Sequence, residues 1–359
     1  MLNLQIYNPM LRQYWWKLLS AVILVFVLIF GLKTPLKPGI VGSFPLSGTV
    51  GETLTLNVEG YNTHFAAAKS QTAYLKNGEQ KVIAASAVVT KDEQTAALTF
   101  SLPSTPIAAR ESLTLIVNNE IDGNIILPSA LLLKESKSPV PSSNQAWSPL
   151  NITDLHKVDG YRFPYRNILH ETIRNTFFHV AIWFAMFILF VVGLVNSILY
   201  LIKKRLIYDR IAAAFTEVGI LYGMVGLATG SMWAKYTWGA WWTDDIKLNM
   251  SAIAILIYLA YLILRRSVHD VDSKARLAAA YNIFSFLILI PLIFIIPRMT
   301  DSLHPGNGGN PALGGEDLDN TLRLIFYPAI IGLTLLGVWL SSLSYRLSLL
   351  KDRWILNQD

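Results

Sequence analysis

Residues 177–202 read FFHVAIWFAMFILFVVGLVNSILYLI, twenty-six positions without one Asp, Glu, Lys or Arg. A helix of that length rises about 39 Å, more than the roughly 30 Å hydrocarbon core of a bilayer. Working outward from it, four more runs are as plainly apolar: Trp15–Leu32, Ile253–Leu264, Leu277–Ile296 and Leu324–Leu343. A sixth, Ile211–Gly230, carries only Glu217. The run at 253–264 becomes long enough to span if its helix begins near Lys247. With 53% hydrophobic and 15% charged residues and a mean hydropathy of +0.41, the chain is too apolar for an ordinary soluble domain. The expected fold is a mainly α membrane protein with six transmembrane helices.

Basic residues orient the spans. Arg12 and Lys17 lie at the amino-terminal end of the first run, and Lys203, Lys204, Arg205 and Arg210 separate the second from the third. Arg265, Arg266, Lys274 and Arg276 separate the fourth from the fifth, and Arg346, Lys351 and Arg353 follow the last. If every cluster is cytoplasmic, six spans alternate without conflict and both termini are inside. These flanks account for the formal net charge of +6, and their scatter gives no reason to expect a nucleic-acid partner. The first run lacks a small-x-small cleavage site and is longer than a signal core, so it is expected to remain as an anchor.

Three segments then face outward: 33–175, 231–246 and 298–321. The first is far too long for a connector. Thr53–Glu59 alternates with period two, and short apolar or β-branched runs recur at 71–75, 81–89, 95–102, 112–118 and 124–133. Turn signals at Asn77-Gly78, Lys91–Glu93, Pro103–Pro106 and Asp122–Asn124 punctuate them. This pattern predicts an inserted extracytoplasmic β-sandwich of immunoglobulin-like type over 38–140. A linker and membrane approach follows over 141–175, with 137–144 rich in Ser and Pro. Residues 1–37 hold the first tail and span, 176–350 the other five helices with a tryptophan loop at 231–246, and 351–359 a cytoplasmic tail. The domain shows no catalytic constellation, and its histidine, His64, has no histidine or carboxylate close by in sequence. It reads as a docking or spacer module. With no cysteine anywhere, disulfides, thiolate metal sites and thioether attachment are excluded.

Residues 233–245, WAKYTWGAWWTDD, hold four of the ten tryptophans. Interfacial aromatic belts explain Trp15, Trp16, Trp339 and Trp354, but belts are spread over helix ends rather than crowded in one loop. Asp244 or Asp245 is expected to cap the helix that follows. Two of the six histidines fall beside this loop by topology. His179, in NTFFHVAIWF, opens the second span at its outer end, and His304, in PRMTDSLHPGNGGN, follows the fifth. Neutral imidazoles are axial iron ligands in many haem proteins, and haem is flat, apolar and edged with two carboxylates. Indole faces would stack on it, and Arg174, Lys235, Lys247 and Arg298 fall near the same face.

The stretch TGSMWAKYTWGAWWTDD at 229–245 resembles the signature W-G-x-W-W-x-W-D of the haem-handling membrane proteins that mature c-type cytochromes. FFHVAIW and SLH resemble the two histidine motifs of that family, in order and in sidedness. The nearest match is its short haem exporter, the C component of the cytochrome c maturation system, over roughly 165–350 plus the first span. The resemblance implies that His179 and His304 are axial ligands of non-covalent haem b, and that Trp233, Trp238, Gly239, Trp241, Trp242 and Asp245 form the presenting loop. It implies export and presentation of haem, without enzymatic chemistry, to a periplasmic haem chaperone from the cell inner membrane. A small single-span helper and an ATP-driven transporter are the further implied partners, beside membrane lipid. No P-loop occurs in this chain, so ATP use resides in a partner. Three features depart from the family pattern: Asp244 replaces the third signature tryptophan, Ala181 a proline, and the β-domain a short loop.

Other readings are weaker. A cytochrome c haem lyase or synthase shares the loop but needs further histidines inside the bilayer, and a two-haem redox subunit needs pairs on facing helices. An ion-coupled transporter would have to work with Glu217, which lies about two turns from Arg210 and is expected to pair or to snorkel.

Overall fold

The computed structural model describes residues 9–78, 81–104, 110–135, 146–149, 155–156, 160–167, 169–304 and 318–356. The Ser/Pro-rich stretch 137–144 lies outside them. The chain divides into two compact units: Met1–Lys33 together with Glu171–Asp359, and Thr34–His170 between them in sequence.

The first unit is six long helices: α1 Pro9–Lys33, α2 His179–Lys203, α3 Leu206–Trp238, α4 Ile246–Ser267, α5 Val271–Ile290 and α6 Asn320–Leu356. Each contains an apolar stretch long enough to cross a membrane. The fourth does begin one residue before Lys247, where Asp245 caps it by accepting from the Lys247 amide at 2.9 Å. Large side chains stay outside the bundle: Leu256, Ile263 and Leu287 are 62%, 69% and 61% exposed. A water-soluble fold would not leave that much aliphatic surface bare, whereas lipid solvates it at no cost. The protein is a multi-pass membrane protein.

Inside, α2 packs most extensively on α3, and polar side chains tie the helices where no hydrophobic drive exists between them. Asn282 on α5 donates to Ser197 on α2 at 2.9 Å and Thr216 on α3 at 3.0 Å, all three fully buried. Near the other end, Arg265 on α4 grips Asp209 on α3 through two bonds of 2.6 and 2.9 Å. The α5 helix ends at Pro291, whose missing N–H breaks the ladder, and continues through a π turn, Pro291–Ile295, and a short 3-10 turn, Ile296–Arg298.

The inserted unit is β-rich. Its strands are β1 Gly39–Phe44, β2 Ser47–Thr49, β3 Thr53–Tyr61, β4 Gln71–Asn77, β5 Lys81–Ala84, β6 Ala87–Thr90, β7 Thr95–Ser101, β8 Arg110–Asn119, β9 Gly123–Lys134 and β10 Ser148–Pro149. One sheet has the order β1-β3-β7-β6 and the other β10-β5-β4-β8-β9-β2. All pairs are antiparallel except β2 with β9, so the second sheet is mixed. Alternation on β3 buries Leu54, Leu56 and Val58, which share a core with Leu98 and Phe100 of β7 and with Leu75, Leu113, Leu115, Leu131 and Leu133 of the other sheet.

One expected strand is corrected. The run 81–89 is two strands in different sheets, because the chain crosses over at Ala85 and Ser86. The Ala85 amide still bonds Ala73 at 2.8 Å, and the Ser86 amide bonds Thr99 of the opposite sheet at 2.8 Å. Apolar residues fill both halves of the run, so hydrophobic pattern alone does not reveal the change of sheet.

Candidate functional site

The loop after α3 ends against the segment after α5. Asp245, 4% exposed, is the hub. Its Oδ1 lies 2.9 Å from Nδ1 of His304, while Oδ2 accepts from the Ser302 hydroxyl at 2.9 Å and the Leu303 amide at 2.8 Å. Burial pushes this carboxyl up, but the bonds and charge of His304, with the Leu303 and Ser302 donors, outweigh it and hold Asp245 well below the usual carboxylate range. An ionised carboxylate only accepts, so Nδ1 of His304 carries a proton and Nε2 is the ring nitrogen left outside this bond. The ring is bedded in aromatics. Trp233 lies 5.4 Å away at 34° and Trp238 5.0 Å away at 79°, and the two indoles meet each other edge to face at 4.9 Å.

His179, the first residue of α2, is held the same way by a different helix. Its Nδ1 lies 3.0 Å from the Gly226 carbonyl and 3.1 Å from the Thr229 hydroxyl on α3. The Thr229 hydroxyl donates to Val225 and Gly226 carbonyls, which frees its lone pair for the imidazole. A carbonyl can only accept, so here too Nδ1–H points inward and Nε2 is the basic nitrogen. The close approach requires glycine at 230: a Cβ there would sit 2.6 Å from Cε1 of His179.

The rest of the tryptophan loop is open. Gly239 closes α3 in the left-handed conformation, φ +82°, with its N–H on the Lys235 carbonyl at 3.1 Å. Trp241 and Trp242 are 59% and 44% exposed. The Trp242 indole donates to Asn249 at 3.1 Å, and Asn249 in turn donates to Asp244 at 2.9 Å, so Asp244 braces the loop from the first turn of α4. Ser231 anchors the Trp241 carbonyl at 2.7 Å.

The sequence thus named two groups that the fold brings together around His304: Trp233 and Trp238, and Asp245. Trp241 and Trp242, expected in the same presenting group, stand exposed and have no ring contact with that cluster among the described residues. The sequence missed Thr229, Ser302 and Gly230; the serine stands in the SLH motif itself, while Thr229 and Gly230 lie on α3, 50 and 51 positions after His179. Among the nearby cations, Lys235 donates to the Gly239 carbonyl at 2.9 Å, and Arg174 to the Gly31 carbonyl at 2.9 Å and to Glu171. Glu217 does not pair with Arg210. It accepts from Ser344 at 2.8 Å, while Arg210 meets Asp352 at 2.7 Å, because α6 runs beside the start of α3.

Six helices long and apolar enough to span a membrane, two imidazoles each held at Nδ1 by a fixed acceptor, and a tryptophan-rich loop define a class: a multi-pass membrane protein with a histidine and indole site. No thiolate exists to compete, and the indole bed suits a flat, apolar group. The model of the family described as heme exporter protein C matches residues 164–357. Heme exporter protein C of Bradyrhizobium diazoefficiens is 30% identical over 187 residues, 51% of this chain and 68% of that protein. The protein of the same description from Paracoccus denitrificans is 27% identical over 165 residues, 46% of this chain and 68% of its own. That of Escherichia coli K12 is 25% identical over 134 residues, 37% and 53%. The chain belongs to the heme exporter protein C family, and so to the haem-handling membrane proteins of cytochrome c maturation. The inserted strands from β1 to β10 lie before the matched residues.

Proposed function

We propose that the protein binds haem b non-covalently through Nε2 of His179 and of His304 and presents it, without catalysing a reaction, to a periplasmic haem chaperone. The observation that carries this reading is that both Nδ1 atoms are engaged by fixed acceptors, Asp245 in one case and the Gly226 carbonyl in the other. That arrangement selects the tautomer an iron ligand needs and stops the rings from turning. Bound haem would supply an iron that accepts these two nitrogens. The chain's own part is to orient the donors, stack indoles against the porphyrin, and leave Trp241 and Trp242 exposed for handover. The positive-inside flanks support a cytoplasmic amino terminus, from which six alternating spans would carry the loop after α3 and the segment after α5 to the periplasmic side of the inner membrane. A single-span helper and an ATP-driven transporter complete the proposed assembly. The β-rich unit, read as immunoglobulin-like, serves as a docking or spacer module in it.

The test is the absorption spectrum of the detergent-purified protein made with haem available. Two-imidazole ligation has a low-spin signature. His179→Ala and His304→Ala are expected to lose or weaken it, while His156→Ala, His170→Ala and His269→Ala keep it. Wild-type haem content in both motif variants overturns the assignment.

A further inference from the structure

We propose that Arg323, at the outer end of α6, holds a propionate carboxylate of the bound haem. The inference rests on the haem reading above and adds to it the residue that anchors the polar edge. Arg323 is the fourth residue of α6, Asn320–Leu356. The helix around it is seated in the bundle: Leu322 and Phe326 are 1% and 0% exposed, and Phe326 meets Phe184 of α2 edge to face at 5.9 Å. Phe184 stands five positions inward of His179, and Phe326 three inward of Arg323. At 1.5 Å per residue, the arginine and the imidazole therefore start from heights about 3 Å apart. The same helix packs against α3, whose Gly226 and Thr229 hold His179. Arg323 thus stands at the level of the histidine, on a helix that borders both elements fixing it.

Most of this guanidinium is unused. Its Nη1 donates to Asn320 at 3.3 Å, beyond the usual range for such a bond, and its Nε is buried without a partner. Among the described residues no ion pair includes it. The neighbouring carboxylate, Asp319, is engaged by the Thr321 hydroxyl at 2.7 Å and the Leu322 amide at 2.9 Å. Helix stability does not explain the residue either, because a cation in the first turn opposes the macrodipole, whose positive end lies there. An Nε closed off from water with no acceptor is costly, and an oxyanion that draws the flexible side chain to itself removes that cost. The other cations expected at this face have interactions of their own: Lys235 with the Gly239 carbonyl, Arg174 with the Gly31 carbonyl and Glu171, and Lys247 and Arg298 with further groups. A guanidinium presents Nε–H and Nη–H along one edge as a planar fork that matches the two oxygens of a carboxylate. Haem is apolar but for its two carboxylates, and a carboxylate brought to an apolar surface is costly unless charge and donors meet it.

The experiment titrates the full chain, purified in detergent without haem, with ferric haemin and with haemin dimethyl ester. The ester keeps iron and porphyrin but has no carboxylate charge. Wild type is expected to bind haemin about 10–100-fold more tightly than the ester, the range that a hydrogen bond to a charged group supplies. Arg323→Gln should lose about tenfold toward haemin and less than about twofold toward the ester. The low-spin spectrum of each complex should persist, because both imidazoles remain. Arg323→Lys, which keeps the charge without the fork, should fall between. The proposal is overturned if wild type does not discriminate between the two ligands, or if Arg323→Gln leaves the discrimination as it was. Equal weakening of both ligands also overturns it, by making Arg323 a packing residue. Nanodiscs containing phosphatidylglycerol separate the other source of an oxyanion: discrimination seen in detergent but lost there assigns Arg323 to a lipid phosphate and overturns the proposal too. Failure of the haem reading would look different: wild type would then give no low-spin, histidine-dependent spectrum with either ligand.

Discussion

Asp245 serves three ends at once: it caps α4, seats the Ser302–Leu303 turn and fixes the proton of His304. Its folded-state pKa is depressed, so the stability it contributes is fully present above the unfolded carboxyl value near 4 and is lost only as pH falls through the lower folded value. Between pH 5 and 8, therefore, haem loss cannot come from titration of Asp245. Asp245→Asn keeps the shape but turns one acceptor oxygen into an NH2, which must face either His304 Nδ1 and the Lys247 amide or Ser302 and the Leu303 amide, so the tautomer is no longer firmly selected. We expect haem affinity to fall by about 10–100-fold, with the pH dependence of haem retention changed in shape below pH 7. Haem titration of wild type and variant across pH 5–8 checks this. Unchanged affinity at every pH would leave Asp245 as a helix cap alone. On α3, Gly230→Ala should drive a methyl into His179, 2.6 Å from Cε1, and lower haem content while leaving Thr229 and the helix in place.

At the scale of elements, the spans were legible because length and apolarity alone define them, and the helix start at Asp245 because a side-chain cap has a local signature. The strand pattern survived for the same reason: alternation on β3 and β7 is written residue by residue. What was not legible depends on pairing across long separations. The change of sheet at Ala85, the parallel β2–β9 pair and the Asp122–His64 bond all join segments that sequence keeps apart. The tryptophans divide along the same line. Belt residues such as Trp15 and Trp354 are 58% and 64% exposed on helix faces, and Lys17 lies over the Tyr14, Trp16 and Trp339 rings at 4.5 to 5.6 Å, as interfacial anchors do. Trp233 and Trp238 instead hold an imidazole. Leu in place of a belt tryptophan preserves apolar area and should change haem content little. Leu at Trp238 and Trp241 together removes aromatic contact worth about 0.5–1.5 kcal/mol at each position beyond area, so haem retention should fall on the order of tenfold, with Phe costing less. Haem per protein and haem passed to the chaperone, measured for both sets side by side, decide the matter. Equal behaviour would reduce the loop to an anchor.

For the whole molecule, the question is how a helical membrane unit tolerates more than a hundred residues placed between its first two spans. The inserted unit has its own core, and the chain enters and leaves it side by side. Leu36 bridges Phe163 in parallel, the Lys37 amide bonds the Phe163 carbonyl at 2.7 Å, and the Phe163 amide bonds the Pro35 carbonyl at 2.9 Å. Bridged strands run about 5 Å apart, so the two ends of this unit lie close together. Closing a loop costs entropy that grows only slowly with its length, which is why such insertions are tolerated. Removing residues 38–162 and joining Lys37 to Phe163 through a short Gly/Ser linker should therefore leave α1 and α2 unstrained. Both motif histidines, Asp245 and every described group they bond lie outside the deletion. The shortened protein is expected to insert, to melt as the parent's membrane unit does, and to keep its low-spin haem spectrum within about twofold per protein, since no bond to either ligand is lost. Haem transfer to the chaperone should fall, because the removed surface is the one the docking role requires. A well-folded deletion without the spectrum would place part of the haem site in the β-rich unit. Undiminished transfer would instead leave that unit outside the delivery step.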